Sequence, residues 1–452
     1  LNLMQSLHAV FLALGRASFD VEAARRYFEQ SKIMLESVTE RLTAPNDLLM
    51  SPEETAEFLK RSLADESPDV LVVQTTTFVD ARFIKEIMEI SDLPVIMWGV
   101  REPNVNGTRL SLNSMTGLNN LCNYLAAKKR KFQFVFGNPN EQALIDDLKK
   151  HLKVLKVVKQ LKQLKIGVLG RYPDGFFFSD ADPGMLSSIG PQIVELDLEE
   201  AFRRAGEVSD REIAEVIREV GTKVKQLDRI PQEGVRKFAA FQTALTKELK
   251  RQGIGIVGIR CWPEFFSDFG AAACSTVSWL TDAGVMASCE SDIHGAITMY
   301  IQHQFTQSAP YLGDMVHIDE NKNSAVFWHC GAGAISLARK DTGVSAGVQP
   351  NRKLGFTLEF GLKAGQVSVH RLGPDPHKQG KYRMLMLEGE ALDEPQKFWG
   401  TTVEVGFGQP IVPLFKKLIK QGFEPHYSIV YGRIQEEMKI LCEWLDIEPI
   451  EL

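Results

Sequence analysis

The chain has no apolar run approaching the ~20 residues a membrane-spanning helix requires, no CxxC pair and no Walker A sequence. The first absence leaves no candidate membrane span. Leu1 to Leu14 is amphipathic, without a basic leader region or a clear cleavage site, so the expected location is the cytoplasm. The second argues against a zinc knuckle or a disulfide framework. Six cysteines (122, 261, 274, 289, 330 and 442) are scattered without regular spacing and read as reduced, mostly buried small hydrophobes, Cys289 and Cys330 included. Positive charge is also in short supply. With 52 Lys and Arg against 58 Asp and Glu, the formal charge is −6, which points away from nucleic acid and towards a small-molecule partner. Neither an internal repeat nor a low-complexity tract interrupts the 452 residues.

A chain of this length exceeds one hydrophobic core, so several domains are expected. In the first third, amphipathic helices such as VEAARRYFEQSKIMLESV alternate with short apolar strands at Asp69 to Thr75, Pro94 to Trp98 and Phe132 to Phe136, the pattern of a parallel α/β layer. A lysine-rich helix, ALIDDLKKHLKVLKVVKQLKQL, then leads into the strand IGVLG, which opens a second α/β unit with QIVEL and GIGIVGIR. Beyond Gln302 the texture changes to short alternating strands such as AVFWHC, GQVSVHRL and TTVEVGF, the signature of an antiparallel β region. The expected architecture is α/β: two Rossmann-like α/β domains, 1–163 and 164–305, followed by a β-rich, barrel-like domain, 306–452.

Gly253, Gly255 and Gly258 spell GxGxxG, but they lie in the strand GIGIVGIR, and Cys261-Trp262-Pro263 follows where a phosphate-binding helix should open. A nucleotide cofactor is therefore not expected. The stretch MASCESDIHGAITMYIQ is more informative, because it sets Glu290 among small and apolar residues that cannot solvate a carboxylate. An idle charge there would be costly. In a helix, Glu290 and His294 would share a face at i and i+4, with Asp292 pointing elsewhere; His294 is either a substrate contact or a satisfied core histidine. Downstream lie Asp314 in YLGDMVHID, between the helix and the β region where a domain seam is expected, with a turn aspartate as the alternative, His329 in FWHCGAG at a strand end, and His426 in GFEPHYSIV. Two carboxylates and two imidazoles without sulfur suit Mn²⁺, with Co²⁺ or Mg²⁺ as substitutes. Spacing alone does not assemble them.

The segments SCESDIHGAITMYIQ, GDMVHIDENKNSAVFWHCGAG and GFEPHYSIVYG, and more weakly VVQTTTF, PVIMWGVREP and RLSLNSMTGLNN, resemble the L-fucose isomerase and L-arabinose isomerase superfamily of metal-dependent aldose–ketose isomerases. The resemblance implies that Glu290 and Asp314 bind the metal and serve as acid and base, and that His329 and His426 complete or border the metal shell. It implies a homo-oligomer, often a hexamer, whose active site is completed by the N-terminal domain of a neighbouring subunit. Candidate sugar contacts from that domain are Gln74, Trp98, Arg101 and Asn113. Trp262 and Glu264, at the exit of the GIGIVGIR strand, are further pocket candidates, since strand C-termini in open α/β sheets face ligand crevices. The sugar stays open among L-fucose, D-arabinose, L-arabinose and an anionic hexose such as sulfoquinovose. An anionic sugar needs a basic contact, for which Arg101, Arg109, Arg171 and Arg260 are available. Two other classes also remain: a non-catalytic sugar-binding protein on the same scaffold, and a metal-dependent hydrolase or aldolase.

Overall fold

The computed structural model describes residues 6–452. The chain divides into two units, one within the first 160 residues and one from Leu161 to Leu452.

The first unit is built on five parallel strands in the order Arg41–Thr43, His8–Leu14, Val70–Thr75, Val95–Gly99, Gln133–Phe136. Every residue of HAVFLAL is buried, as expected of a strand covered on both faces. The amphipathic reading of this segment is thus corrected for His8–Leu14; residues 1–5 lie outside the described residues. Helix starts follow local chemistry. Asp20 accepts the N–H of Ala23, and Ser51 accepts that of Glu54 with Pro52 in the first helical turn.

In the second unit, four parallel strands run in the order Met286–Cys289, Ile256–Ile259, Lys165–Leu169, Gln192–Leu196. Two of the three glycines of GxGxxG have other tasks here. Gly253 ends the helix Gln232–Gln252 at φ +68°, and Gly258 lets the turn at Ser291 approach, since a Cβ there would sit 3.0 Å from Ser291 Cα.

The C-terminal β region closes on itself. Strands Tyr311–Asp319, Ser324–His329, Thr401–Phe407, Tyr382–Ala391, Gly365–Pro374 and His426–Tyr431 pair antiparallel in that order, and the last returns to the first. A closed barrel leaves these six without a free edge. The helix Ile293–Thr306 packs against strands 365–374 and 426–431. One hydrophobic core runs from Leu169 and Phe241 of the α/β layer to Phe327, Val405 and Ile429 of the barrel. The α/β layer and the barrel share this core within the unit Leu161–Leu452. Among the described residues, no helix is long and apolar enough to cross a membrane.

Candidate active site

Strand Met286–Cys289 ends in a tight turn in which Glu290 and Ser291 both take positive φ, 54° and 52°. Left-handed backbone at non-glycine residues costs ~1–3 kcal/mol each and persists only where the surroundings enforce it. Ser291 supplies the enforcement: its N–H donates to Ile259 O at 3.1 Å and its Oγ to Gly170 O at 2.7 Å. Glu290 is thereby fixed at the C-terminal end of the parallel sheet, where open α/β sheets bind ligands.

The helix expected to carry Glu290 and His294 on one face begins only at Ile293, because Asp292 caps it by accepting the Gly295 N–H at 2.9 Å. The consequence separates His294 from Glu290 and turns Asp292 towards the site. His294 is buried away from the cluster with Nε2 3.4 Å from Tyr382 Oη, and burial lowers its pKa to about 4, so it is a neutral core histidine. Asp292, expected to point elsewhere, reaches His426: its Oδ2 accepts from Nδ1 at 2.8 Å.

His426 begins the strand 426–431 and is the hub of the site. Its Nε2 lies 3.0 Å from Glu290 Oε2 and 3.6 Å from Asp314 Oδ1. Asp314 is a strand residue rather than a turn aspartate, directly opposite both His426 and Trp328 in the β ladder. Burial works against charge on His426, yet the hydrogen bond to Asp292 and the contact with Glu290 outweigh it and raise its pKa to about 10. Burial also opposes charge on Glu290, but His426 prevails and the carboxyl is held below its usual range. For Asp314 burial wins, and its pKa is raised. Trp262 Nε1 donates to Glu290 Oε1 at 3.3 Å, Phe176 stands edge-on to Trp262 at 5.3 Å, and Phe178 edge-on to His426 at 5.0 Å.

Donor atoms of Glu290, His329 and His426 all lie within 4.8 Å of one another. Ligands ~2.1 Å from one metal stand up to about 4.2 Å apart, so the set fits a divalent ion after small adjustments. Glu290 Oε2 fits as well, being a buried carboxylate oxygen with no aligned hydrogen-bond donor despite its closeness to His426. Asp314 adjoins the set through His426 without belonging to it. His329 ends its strand with Nδ1 accepting the Cys330 N–H at 3.0 Å, which leaves the proton of the neutral ring on Nε2. Ligation through Nε2 would require giving up that bond.

The other expected contacts each have partners of their own. Glu264 forms a two-pronged pair with Arg260, at 2.7 and 2.9 Å, and Arg260 also donates to Tyr172 O at 2.7 Å. In the first unit, Gln74 and Trp98 are wholly buried with their polar groups engaged internally, Gln74 by Ser31 and Thr76 and Trp98 by Gly137 O. Arg101 pairs with Glu141 at 2.8 Å, and Asn113 precedes the helix Ser114–Ala127 at φ 53°, its N–H held by Glu102. Sequence reading missed Asp292, Phe178 and Arg371. The signal for Arg371 was present: an arginine inside the apolar strand GQVSVHRLGP calls for a buried anion.

No family model matches the chain. It is similar to the sulfoquinovose isomerases of Priestia aryabhattai and Priestia megaterium, at 44% identity over 98% of this chain and 99% of each relative. It is also similar to that of Alkalicoccus urumqiensis, at 42% over 99% of both chains, and to that of a Clostridium species, at 35% over 98% and 99%. A periplasmic sugar-binding protein from Legionella pneumophila aligns at 13% identity with a TM-score of 0.18, too slight a likeness to carry an argument. Identity at this level along the whole length, on a chain that gathers carboxylates and imidazoles at a sheet end, places the protein: it belongs to the sulfoquinovose isomerase family and is an aldose–ketose isomerase.

Proposed function

We propose that the chain interconverts sulfoquinovose and its ketose, with Glu290 and Asp314 as the acid/base pair and a divalent metal, foremost Mn²⁺, held by Glu290 and His426 with His329 and the adjoining Asp314 completing the shell. The supporting observation is the convergence of both carboxylates on His426 Nε2, at 3.0 and 3.6 Å. The substrate comes from the names of relatives 42–44% identical over nearly their whole length. The same reading keeps the chain within the wider L-fucose and L-arabinose isomerase superfamily. It makes the protein a cytoplasmic homo-oligomer, a hexamer, with Arg101 and Asn113 offered to a neighbouring copy.

The reaction moves a carbonyl from C1 to C2. One carboxylate takes the C2 proton while a proton is delivered to O1, giving the enediol; loss of the O2 proton and return of a proton to C1 give the ketose. Glu290, fixed by its turn and by Trp262, and Asp314, fixed by its strand, hold their oxygens on rigid elements during these transfers. When bound, the metal polarises the carbonyl and the neighbouring hydroxyl and so lowers the cost of charge on the enediolate. Phe176 and Phe178 set apolar rings against Trp262 and His426 beside the pair.

Mn²⁺-loaded protein incubated with sulfoquinovose in D₂O should yield ketose carrying deuterium. Glu290→Gln and Asp314→Asn should each lower kcat by about 10²- to 10⁴-fold, the usual worth of a positioned acid or base. Normal turnover in Glu290→Gln would refute the assignment. Metal-dependent binding without ketose would point to a binding protein, and cleavage products to an aldolase or hydrolase.

A further inference from the structure

Arg371 is among the largest wholly buried side chains, yet it carries a permanent charge. Its Nη1 donates to Asp292 Oδ2 at 2.5 Å, the same oxygen that accepts from His426 Nδ1 at 2.8 Å. Its Nε faces Glu424 Oε2 at 3.6 Å. A line of buried charge therefore runs from Glu424 through Arg371 and Asp292 to His426, and from there to Glu290 and Asp314.

We infer that Asp292 and Arg371 are positioning residues for the proposed metal centre: Arg371 fixes the Asp292 carboxylate, and Asp292 fixes the His426 ring with Nε2 aimed at Glu290 and Asp314. The inference rests on the metal reading given under Proposed function. Three observations carry it. A carboxylate at Nδ1 selects the tautomer whose Nε2 lone pair is free, the arrangement that orients histidines on metals. The fold clears space for it: a Cβ at Gly295 would overlap Asp292 and stand 3.0 Å from Arg371 Nη1, and one at Gly373 would overlap Glu424. Stability alone accounts poorly for the group, because Arg371 Nε and Nη2 and Glu424 Oε2 have no hydrogen-bond partner. Orphaned buried polar atoms are costly, and apolar replacements of buried ion pairs are often at least as stable. Placement of His426 gives that cost a return.

The test uses full-length protein stripped with chelator, Mn²⁺ titrated by calorimetry, melting curves, and steady-state kinetics with saturating Mn²⁺. Asp292→Asn, which preserves shape, should weaken Mn²⁺ binding, once corrected for the proton that His426 releases by titrating at several pH values, by about 10- to 100-fold, the usual effect of losing a residue that orients a ligand. Arg371→Lys should weaken it by roughly tenfold, with KM for the sugar within about threefold of wild type, since neither residue faces the sugar. Gly295→Ala leaves every charge in place but displaces the carboxylate; it should behave as Asp292→Asn does, and keeps the test decisive if Arg371→Lys does not fold. Folded Asp292→Asn and Gly295→Ala proteins that bind Mn²⁺ as wild type does would overturn the inference alone. Wild-type protein that binds no Mn²⁺ would overturn the metal reading and this inference with it.

Discussion

His426 lies 2.8 Å from Asp292, 3.0 Å from Glu290 and 3.6 Å from Asp314, and its pKa is raised to about 10. At pH 7.5 the ring is therefore a cation, whereas a metal ligand must be neutral. Loading the centre must expel that proton. Below pH 10 the apparent affinity for Mn²⁺ should rise about tenfold per pH unit, since one unit corresponds to ~1.4 kcal/mol. Calorimetry at pH 7.5 in buffers of different ionisation enthalpy should report about one proton released per metal bound. A proton count near zero would refute the reasoning, because it would mean either that His426 is already neutral or that it does not ligate. A second reading follows from linkage. The folded-state pKa of His426 lies above its unfolded value of about 6.5, so its stabilisation is complete below that pH and is lost as pH rises through 10. Melting of the stripped protein should fall across this window, by an amount on the order of a few kcal/mol. The same interaction appears as the depressed pKa of Asp292 and of Glu290 and counts once.

Exhaustive chelation should abolish ketose formation, and Mn²⁺ should restore it; turnover that survives chelation would remove the metal from the mechanism. Trp98→Ala should cost about 3–5 kcal/mol in denaturant unfolding, because the ring is fully buried 6.2 Å from Phe11 and its Nε1 is bonded to Gly137 O at 2.9 Å. A near-neutral result would show that it is not a core anchor.

Much of the scaffold was legible because it is local. The run LVVQT, the alternation in GQVSVHRL and the caps at Asp20 and Ser51 each specify an element from adjacent residues. Glu290 was legible for a different reason: a carboxylate among Ala287, Ser288, Cys289 and Ile293 has no local solvation, so it announces a distant partner. The helical face for Glu290 and His294 was misread because two residues in left-handed backbone cannot be foreseen from Glu and Ser, which have no preference for it. What holds them there is Gly170 and Ile259, 121 and 32 positions earlier. Asp292 was misassigned by the same error, since a cap and a mid-helix residue point in different directions.

By itself, the sequence determined the kinds of groups available: oxygen and imidazole donors without CxxC pairs or a Walker A loop, a set of a kind that suits a hard divalent metal. Tertiary structure decided which of those groups meet. Barrel closure sets His426 opposite Asp314, and the turn after strand 286–289 brings Glu290 to the same nitrogen, with Asp292 and Arg371 behind it. Contacts between residues up to 136 positions apart depend on sheet register and packing, which no local pattern encodes.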